Sequence, residues 1–291
     1  MNLQSLRTLV RVADQGSFTA VAEASNMTLS AVSAQMKGLE RDLDAALFDR
    51  RVRPPRLTPL GRRVAGHARR LVAEEAAMAA ACATGDALAG HHRLGLIQSA
   101  YVRLLPRFIA LAGERAPRAT FSFRLGTSRD LYEWVTAGRL DAAVLTARGG
   151  GGPLEVRVLR EEPMAWAVPP GDAEEGDAEG GVDMARIHAA RTFFHFMPST
   201  GIGALVAEHL RREGIAPARV VTLDSLEAAV ACTAAGTGYT LLPVSDLERY
   251  GADRVALVPV RGRHMVRRLA CVAPAGAAGE RLAALFASCL D

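Results

Sequence analysis

Hydroxyls, an amide and an ammonium crowd one stretch of ten residues, TLSAVSAQMK: Thr28, Ser30, Ser33, Gln35 and Lys37, with Leu29 among them. Hydroxyls and amides both donate and accept, which reading base edges requires, and an ammonium pairs with phosphate. Arg50, Arg51 and Arg53 lie just before Pro54-Pro55 and form a second cationic group suited to phosphate oxygens. A third set is spread along the chain: Gln98-Ser99, Thr127-Ser128, Pro198-Ser199-Thr200 and Asp224-Ser225. Each follows a predicted strand and opens a predicted helix, where free backbone N–H groups attract an anion. Serine and threonine also cap helices anywhere, so each one alone reads as a cap. Convergence on one cleft would make them a site, with Tyr101 and Phe196 as the nearest apolar contacts.

The first group needs a helix that presents it. Leu3, Leu6, Leu9, Val10 and Ala13 recur at helical spacing up to Gly16, and Ser17 can cap a second helix. Ser25-Asn26 suits a tight turn, after which Thr28 caps a third. There Val32, Met36, Leu39 and Leu43 share one face and point inward. Ser30, Ser33 and Lys37 lie opposite, with Ala34 and Gln35 along the edge. This is a helix-turn-helix whose second helix would enter the major groove by its first turns. A solvated face on an ordinary helical hairpin fits these residues equally well. The following LFDRRVRPPRLT tips the balance, because two short extended runs around a basic Pro-Pro turn form a wing against phosphates.

Thr58-Pro59 starts a long helix by a cap and an N1 proline. Leu60, Val64, Leu71 and Met78 mark an apolar stripe that predicts packing against a second copy, an intramolecular spacer being the other option. Gly66 weakens this helix by roughly 1 kcal/mol relative to alanine. Gly85 to Gly90 marks a hinge. Beyond it, strands and helices alternate, predicting parallel sheets covered by helices. LEVRVL and MAWAV read as separate strands, and GDAEEGDAEGG (171–181) as a solvated acidic loop. Segments 161–170 and 261–268 are plausible crossings between two subdomains.

Composition narrows the class. Of 291 residues, 49% are hydrophobic and 23% charged, and no apolar run approaches bilayer-spanning length. The polar, acid-containing start does not read as a signal peptide, so a cytoplasmic protein is expected. Residues 1–70 carry twelve Arg or Lys against six Asp or Glu, a net of +6; the formal total of +4 leaves −2 for the rest. A polyanion partner for the N-terminal end alone follows. Cys82, Cys232, Cys271 and Cys289 are scattered, which predicts idle thiols rather than a metal site or disulfides. GIGALV lacks the third glycine of a dinucleotide fingerprint, no Walker loop or G-x-S-x-G elbow occurs, and no cofactor is expected. His91-His92, His195 and His209 read as ordinary histidines.

GSFTAVAEASNMTLSAVSAQMKGLERDLDAALFDR with RLTPLGRRV resembles the DNA-binding domain and linker helix of LysR-type transcriptional regulators. HRLGLIQSA, LGTSRDLYEWVTAGRLDAAVL and AAGTGYTLLP are similar to that family's sensor landmarks, in the same order. The resemblance implies a mostly α winged helix-turn-helix over 1–58 and a linker helix and hinge over 59–90. It further implies a two-lobed α/β sensor like periplasmic binding proteins over 91–291. Lobe 1 would take about 91–161 and 268–291, and lobe 2 about 162–267. It implies sequence-specific binding of double-stranded DNA, a small-molecule effector, a homodimer or homotetramer, and RNA polymerase as a candidate partner. No membrane partner and no catalysis are implied. Ser33, Gln35, Arg50, Arg51 and Arg53 fall where the family contacts DNA. Leu29 and Ala34 stand where the family often has an amide and an arginine, so readout here should lean on a thymine methyl, shape and the wing. Two rivals remain: an α/β enzyme acting on a small carboxylate or nucleotide, and a constitutive architectural DNA-binding protein.

Overall fold

The computed structural model describes residues 1–84, 88–147, 152–174, 182–251, 254–260 and 265–290. Helix α1 (Leu3–Gln15) starts where Asn2 accepts from the Ser5 amide, and ends at Gly16, whose φ of 66° a side chain would strain. Ser17 caps α2 (Phe18–Ala24), and Asn26 takes the left-handed turn position at φ 51°. Thr28 Oγ1 then accepts from Ala31 N at 3.1 Å to start α3 (Leu29–Asp42). Val32, Met36 and Leu39 of α3 are buried against Leu6, Leu9 and Val21, each contributing roughly 1.5–3 kcal/mol. Leu43 closes that face only partly buried. Strands β1 (Phe48–Asp49) and β2 (Arg56–Leu57) pair antiparallel as the wing.

Helix α4 (Pro59–Thr84) begins where Thr58 Oγ1 accepts from Gly61 N at 2.9 Å. It packs on α1 through buried Ala65 and Ala68, and Val64 belongs partly to that same core. Leu60, Leu71 and Met78 remain exposed. The expected four-residue stripe is therefore divided: Val64 serves the chain's own head, and three positions face outward.

The remainder forms two α/β lobes on one continuous nine-stranded arrangement. In chain order come β3 (Gly90–Leu96), α5 (Gln98–Arg115), β4 (Ala119–Leu125), α6 (Ser128–Thr136), β5 (Ala142–Thr146) and β6 (Glu155–Val168). The second lobe adds α7 (Pro170–Glu174), α8 (Met184–Ala190), β7 (Thr192–Phe196), α9 (Gly201–Arg212), β8 (Arg219–Leu223) and α10 (Leu226–Ala234). Then follow β9 (Gly238–Pro243), α11 (Val244–Gly251), β10 (Ala256–Pro259), β11 (Val266–Ala273) and α12 (Ala277–Ala287). The strand order is β4-β3-β5-β11-β6-β9-β7-β8, with β10 on β6. β3, β4 and β5 pair parallel, as do β7, β8 and β9, so their C-terminal ends in each lobe point the same way.

β6 is one strand where two were expected. Its first part pairs with β11 from Glu155 to Pro163, and its last residues pair with β9 and β10 in the other lobe. Glu161-Glu162-Pro163 breaks the apolar pattern without breaking the strand, because Glu162 finds arginine partners. Two separate apolar cores, one around Phe108 and Leu131 and one around Trp166 and Tyr239, lie on either side of this crossing. Gly90 opens β3, while 85–87 of the expected hinge, 175–181 of the acidic loop and 261–264 of the second crossing lie outside the described residues.

Candidate functional site

The N-terminal candidates share one surface. Thr28, Leu29, Ser30 and Lys37 are exposed on α3, with Leu29 half uncovered at 50%. Thr28 Oγ1 lies 2.9 Å from Ser30 Oγ, so these two hydroxyls are already paired. Ser33 is half-buried. Gln35 is half-buried as well, and its Oε1 is buried without a hydrogen-bond partner, so this amide turns partly toward the domain. In the wing, Arg50 donates to Glu40 Oε2 at 2.7 Å and Arg51 chelates Asp49 at 3.0 Å. The Arg51 guanidinium and amide hold the Asp49 carboxyl down at about 2. Arg53 is exposed and has no hydrogen-bond or ion-pair partner among the described residues.

Glu40 was not singled out from sequence, yet it places the wing. Its Oε1 accepts from the Leu47 and Phe48 amides at 2.8 and 3.0 Å, and Oε2 accepts from Arg50. One carboxylate at the end of α3 thus fixes the strand that carries the arginines.

The strand-end candidates divide. A cavity of about 390 Å³ lies between the lobes, where the first turns of α5, α6, α9 and α10 meet. Gln98, Ser99, Thr127, Ser128, Phe196 and Thr200 line it. Tyr101, Pro198, Ser199, Asp224 and Ser225 do not: Tyr101 packs on the first lobe's core, and Ser225 is occupied in capping α10 by accepting from Ala228 N at 3.1 Å. Thr127 and Thr200 likewise cap α6 and α9. The apolar walls are Ile97, Leu125, Trp134, Met197, Ile202 and Leu226, joined by Phe196. Among the described residues no lysine or arginine lines the cavity; Asp130 is the one charged lining residue among them, and its carboxylate accepts from Thr127 Oγ1 at 2.7 Å.

Three lining hydroxyls, Ser99, Ser128 and Thr146, are not caps. Ser99, 3% exposed, accepts from Arg267 Nη1 at 2.9 Å. Ser128 Oγ accepts from the Thr146 amide at 3.2 Å. Thr146, also 3% exposed, presents an Oγ1 with no partner, although its type raised no signal in the strand AAVLT. A buried hydroxyl left unpaired costs about 1–3 kcal/mol. Across the gap, a methyl built on Gly201 would stand 2.7 Å from both Ser128 Oγ and Thr146 Cβ, so glycine permits the lobes to meet there.

Behind Ser99 lies a charge cluster that ties the crossing strands to both lobes. Arg267 of β11, wholly buried, donates from Nε to Glu162 Oε2 at 2.7 Å and lies 3.1 Å from Asp246 of α11. Arg103 of α5 also pairs with Glu162, and Ser245 Oγ donates to Glu162 Oε1 at 3.2 Å. Burial alone would raise the Glu162 carboxyl, but Arg267 and Arg103 outweigh it and lower it. Asp246 is raised, since its burial outweighs the same two cations.

The far end of α6 touches the linker helix. Arg70 Nη1 donates to Thr136 O at 2.8 Å, and buried Arg69 reaches Ala137 O at 3.4 Å while pairing with Asp14 of α1. A methyl on Gly66 would lie 3.0 Å from Ala137 O. The glycine that weakens α4 as a helix is thus the one that lets it approach lobe 1.

A winged helix-turn-helix on a long helix, followed by two α/β lobes around a cleft, defines a ligand-responsive DNA-binding regulator. "Bacterial regulatory helix-turn-helix protein, lysR family" matches residues 3–62, and "LysR substrate binding domain" matches residues 85–291. The chain belongs to the LysR family of bacterial transcriptional regulators, which bind DNA and small-molecule effectors and form oligomers. It is 33% identical over 175 residues to a "Probable hydrogen peroxide-inducible genes activator" of Mycobacterium xenopi, covering 60% of this chain and 93% of that one. The fold is similar to full-length OxyR of Pseudomonas aeruginosa, with a TM-score of 0.75 and 20% identity over 100% of this chain and 94% of that one. It is also similar to full-length LysG of Corynebacterium glutamicum with bound effector Arg, with a TM-score of 0.73 and 20% identity over 99% and 98% of the two chains.

Proposed function

We propose that the chain is a cytoplasmic, non-catalytic regulator whose interlobe cavity takes a small carboxylate or similar anion with an apolar body. The supporting observation is the meeting of four helix N-termini in one cavity whose remaining walls, Thr146 apart, are apolar. Each N-terminus favours a nearby anion by about 0.3–1 kcal/mol, and by up to about 2 when partly buried. Two or three of them, with the Ser99 hydroxyl and apolar contacts, support micromolar binding, roughly −8 kcal/mol. The heads bind DNA through Thr28, Leu29, Ser30, Ser33, Gln35 and Lys37 on α3 and through Arg50, Arg51 and Arg53 on the wing. We assign residues 1–58 to DNA binding, 59–90 to dimerisation and 91–291 to sensing, with the lobes exchanging at about 161–162 and 267–268.

Asp130 favours a second reading, in which the effector also carries a cation: the carboxylate would rest on the helix starts and an ammonium on Asp130. Peroxide sensing by thiols, suggested by the name of the mycobacterial relative, is not favoured. Burial pushes the Cys271 thiol up to about 12 and Cys289 to about 11, and peroxide reacts with thiolates. Cys232 is half-buried on α10, and the side chain of Cys82 lies outside the described residues.

Calorimetry of the full chain against benzoate, phenylacetate and hexanoate, with benzyl alcohol, benzylamine and phenylalanine as comparators, tests this. The anion reading expects heat with at least one carboxylate and none with the alcohol or amine. Binding of phenylalanine alone supports the second reading, and binding of benzylamine alone contradicts both.

A further inference from the structure

We infer that Thr146 is a specificity-determining residue of the cleft, its hydroxyl donating to an oxygen of the bound anion. This rests on the reading of the cleft as the effector site. Thr146 ends β5 inside the wall of the cavity, almost wholly buried, and its Oγ1 has no partner. Its own amide is spent on Ser128 Oγ, so the hydroxyl is the one polar group it has to offer the cavity. The first turns of α6 and α9 flank it, and their N–H dipoles favour a negative acceptor over a cation at that point. The Gly201 backbone closes on the same hydroxyl from the other lobe. An acceptor placed there satisfies Thr146 while touching the start of α9, so one ligand atom joins the two lobes.

The test is calorimetry of full-length wild type, Thr146→Val and Thr146→Ser with phenylacetate, benzoate and hexanoate. Valine keeps the shape and deletes the hydroxyl; serine keeps the hydroxyl. The expected result is at least a 10-fold loss of affinity in Thr146→Val and a loss under 3-fold in Thr146→Ser. Wild type binding none of the three carboxylates overturns the cleft reading and this inference together. Wild type binding with Thr146→Val unchanged, or with Thr146→Ser as weak as valine, overturns the inference alone.

A second inference rests on a different contact. The geometry points to α6 as the rod that couples the cleft to the DNA-binding head. Its first turn lines the cavity at Ser128, and its last carbonyls are held by the linker helix: Thr136 by Arg70 and Ala137 by Arg69. Arg69 simultaneously pairs with Asp14 in the first helix of the head. Nine helical residues span about 13 Å as a stiff unit, so displacement at the cleft end is passed to the other end. Cations at a helix C-terminus also favour this docking.

A double-mutant cycle on DNA affinity tests it without a ligand. Gly201→Val pushes on Ser128 at the head of α6 and on Thr146 beside it, and Arg70→Ala removes the shorter of the two hydrogen bonds that hold its tail. Anisotropy with a DNA site selected by the wild-type protein should show a change of at least 5-fold from Gly201→Val. That change should fall below 2-fold in the Arg70→Ala background. An equal change in both backgrounds overturns the rod, and no change from Gly201→Val in either background overturns the coupling itself.

Discussion

Arg267 Nη1 donates to Ser99 Oγ at 2.9 Å, joining a crossing strand to the first turn of α5 inside the cleft. With its oxygen accepting from Arg267, Ser99 has its proton left to give, so the cleft meets a donor at this point. The same guanidinium holds Glu162 and lies 3.1 Å from Asp246, which makes Arg267 the shared ion of the crossing between the lobes. Replacing Arg267 with Ala should destabilise the chain by about 3–5 kcal/mol, because two carboxylates are left buried beside a single remaining arginine. Urea denaturation checks this; a loss under 1 kcal/mol would mean that the cluster is not a structural ion network.

Acid should weaken the second lobe through its histidines. Burial lowers His188, and so does neighbouring His209; burial lowers His209 too, while Glu213 raises it and Arg212 lowers it. Both folded values lie below the ordinary 6.5, so the unfolded chain binds more protons and stability falls as pH drops below about 6.5. Thermal unfolding from pH 7.5 to 5.5 should show a falling Tm, and His188→Gln/His209→Gln should flatten the slope. A wild-type Tm that rises on acidification would reverse the sign of this account.

The wing makes a salt-dependent prediction. Replacing exposed Arg53 with Ala should weaken binding to all sequences alike and reduce the slope of log K against log[salt] by about one. Glu40→Gln should act differently, loosening the strand that Glu40 anchors and weakening all wing contacts together. An unchanged slope for Arg53→Ala takes that residue out of the interface.

Ser33→Ala should reorder related DNA sites by roughly 1–3 kcal/mol if its hydroxyl reads a base edge. Gln35→Ala should reorder them less, since its Oε1 is buried against the domain. Binding to a set of single-base variants gives the ranking, and an unaltered ranking for Ser33→Ala removes direct readout there.

What the sequence revealed followed from local periodicity. Val32, Met36 and Leu39 sit at helical spacing and are buried, and Ser17, Thr28, Thr127, Thr200 and Ser225 are all helix caps. Long-range chemistry stayed hidden. Ser99 and Arg267 are 168 residues apart, and arginine is this chain's usual cation, so nothing marked Arg267 as buried. Thr146 looked like one more strand residue, because its burial beside Gly201 depends on how two lobes close. Gly66 could be read only as a local cost to α4, since its benefit is a contact about seventy residues away. The short α11 escaped notice because it follows directly on the strand Gly238–Pro243, with no loop between.

The central claim is that occupancy of the interlobe cavity changes DNA binding, and one titration tests it most directly. A DNA site selected by the full-length protein is followed by anisotropy, with and without a saturating carboxylate that calorimetry has shown to bind. Coupling between sites of about 1–3 kcal/mol corresponds to a change in Kd of about 5- to 150-fold, in either direction. The account predicts a change in that range for wild type, reached by Thr146→Val only at a higher carboxylate concentration. Identical Kd values for wild type with and without the carboxylate would contradict it.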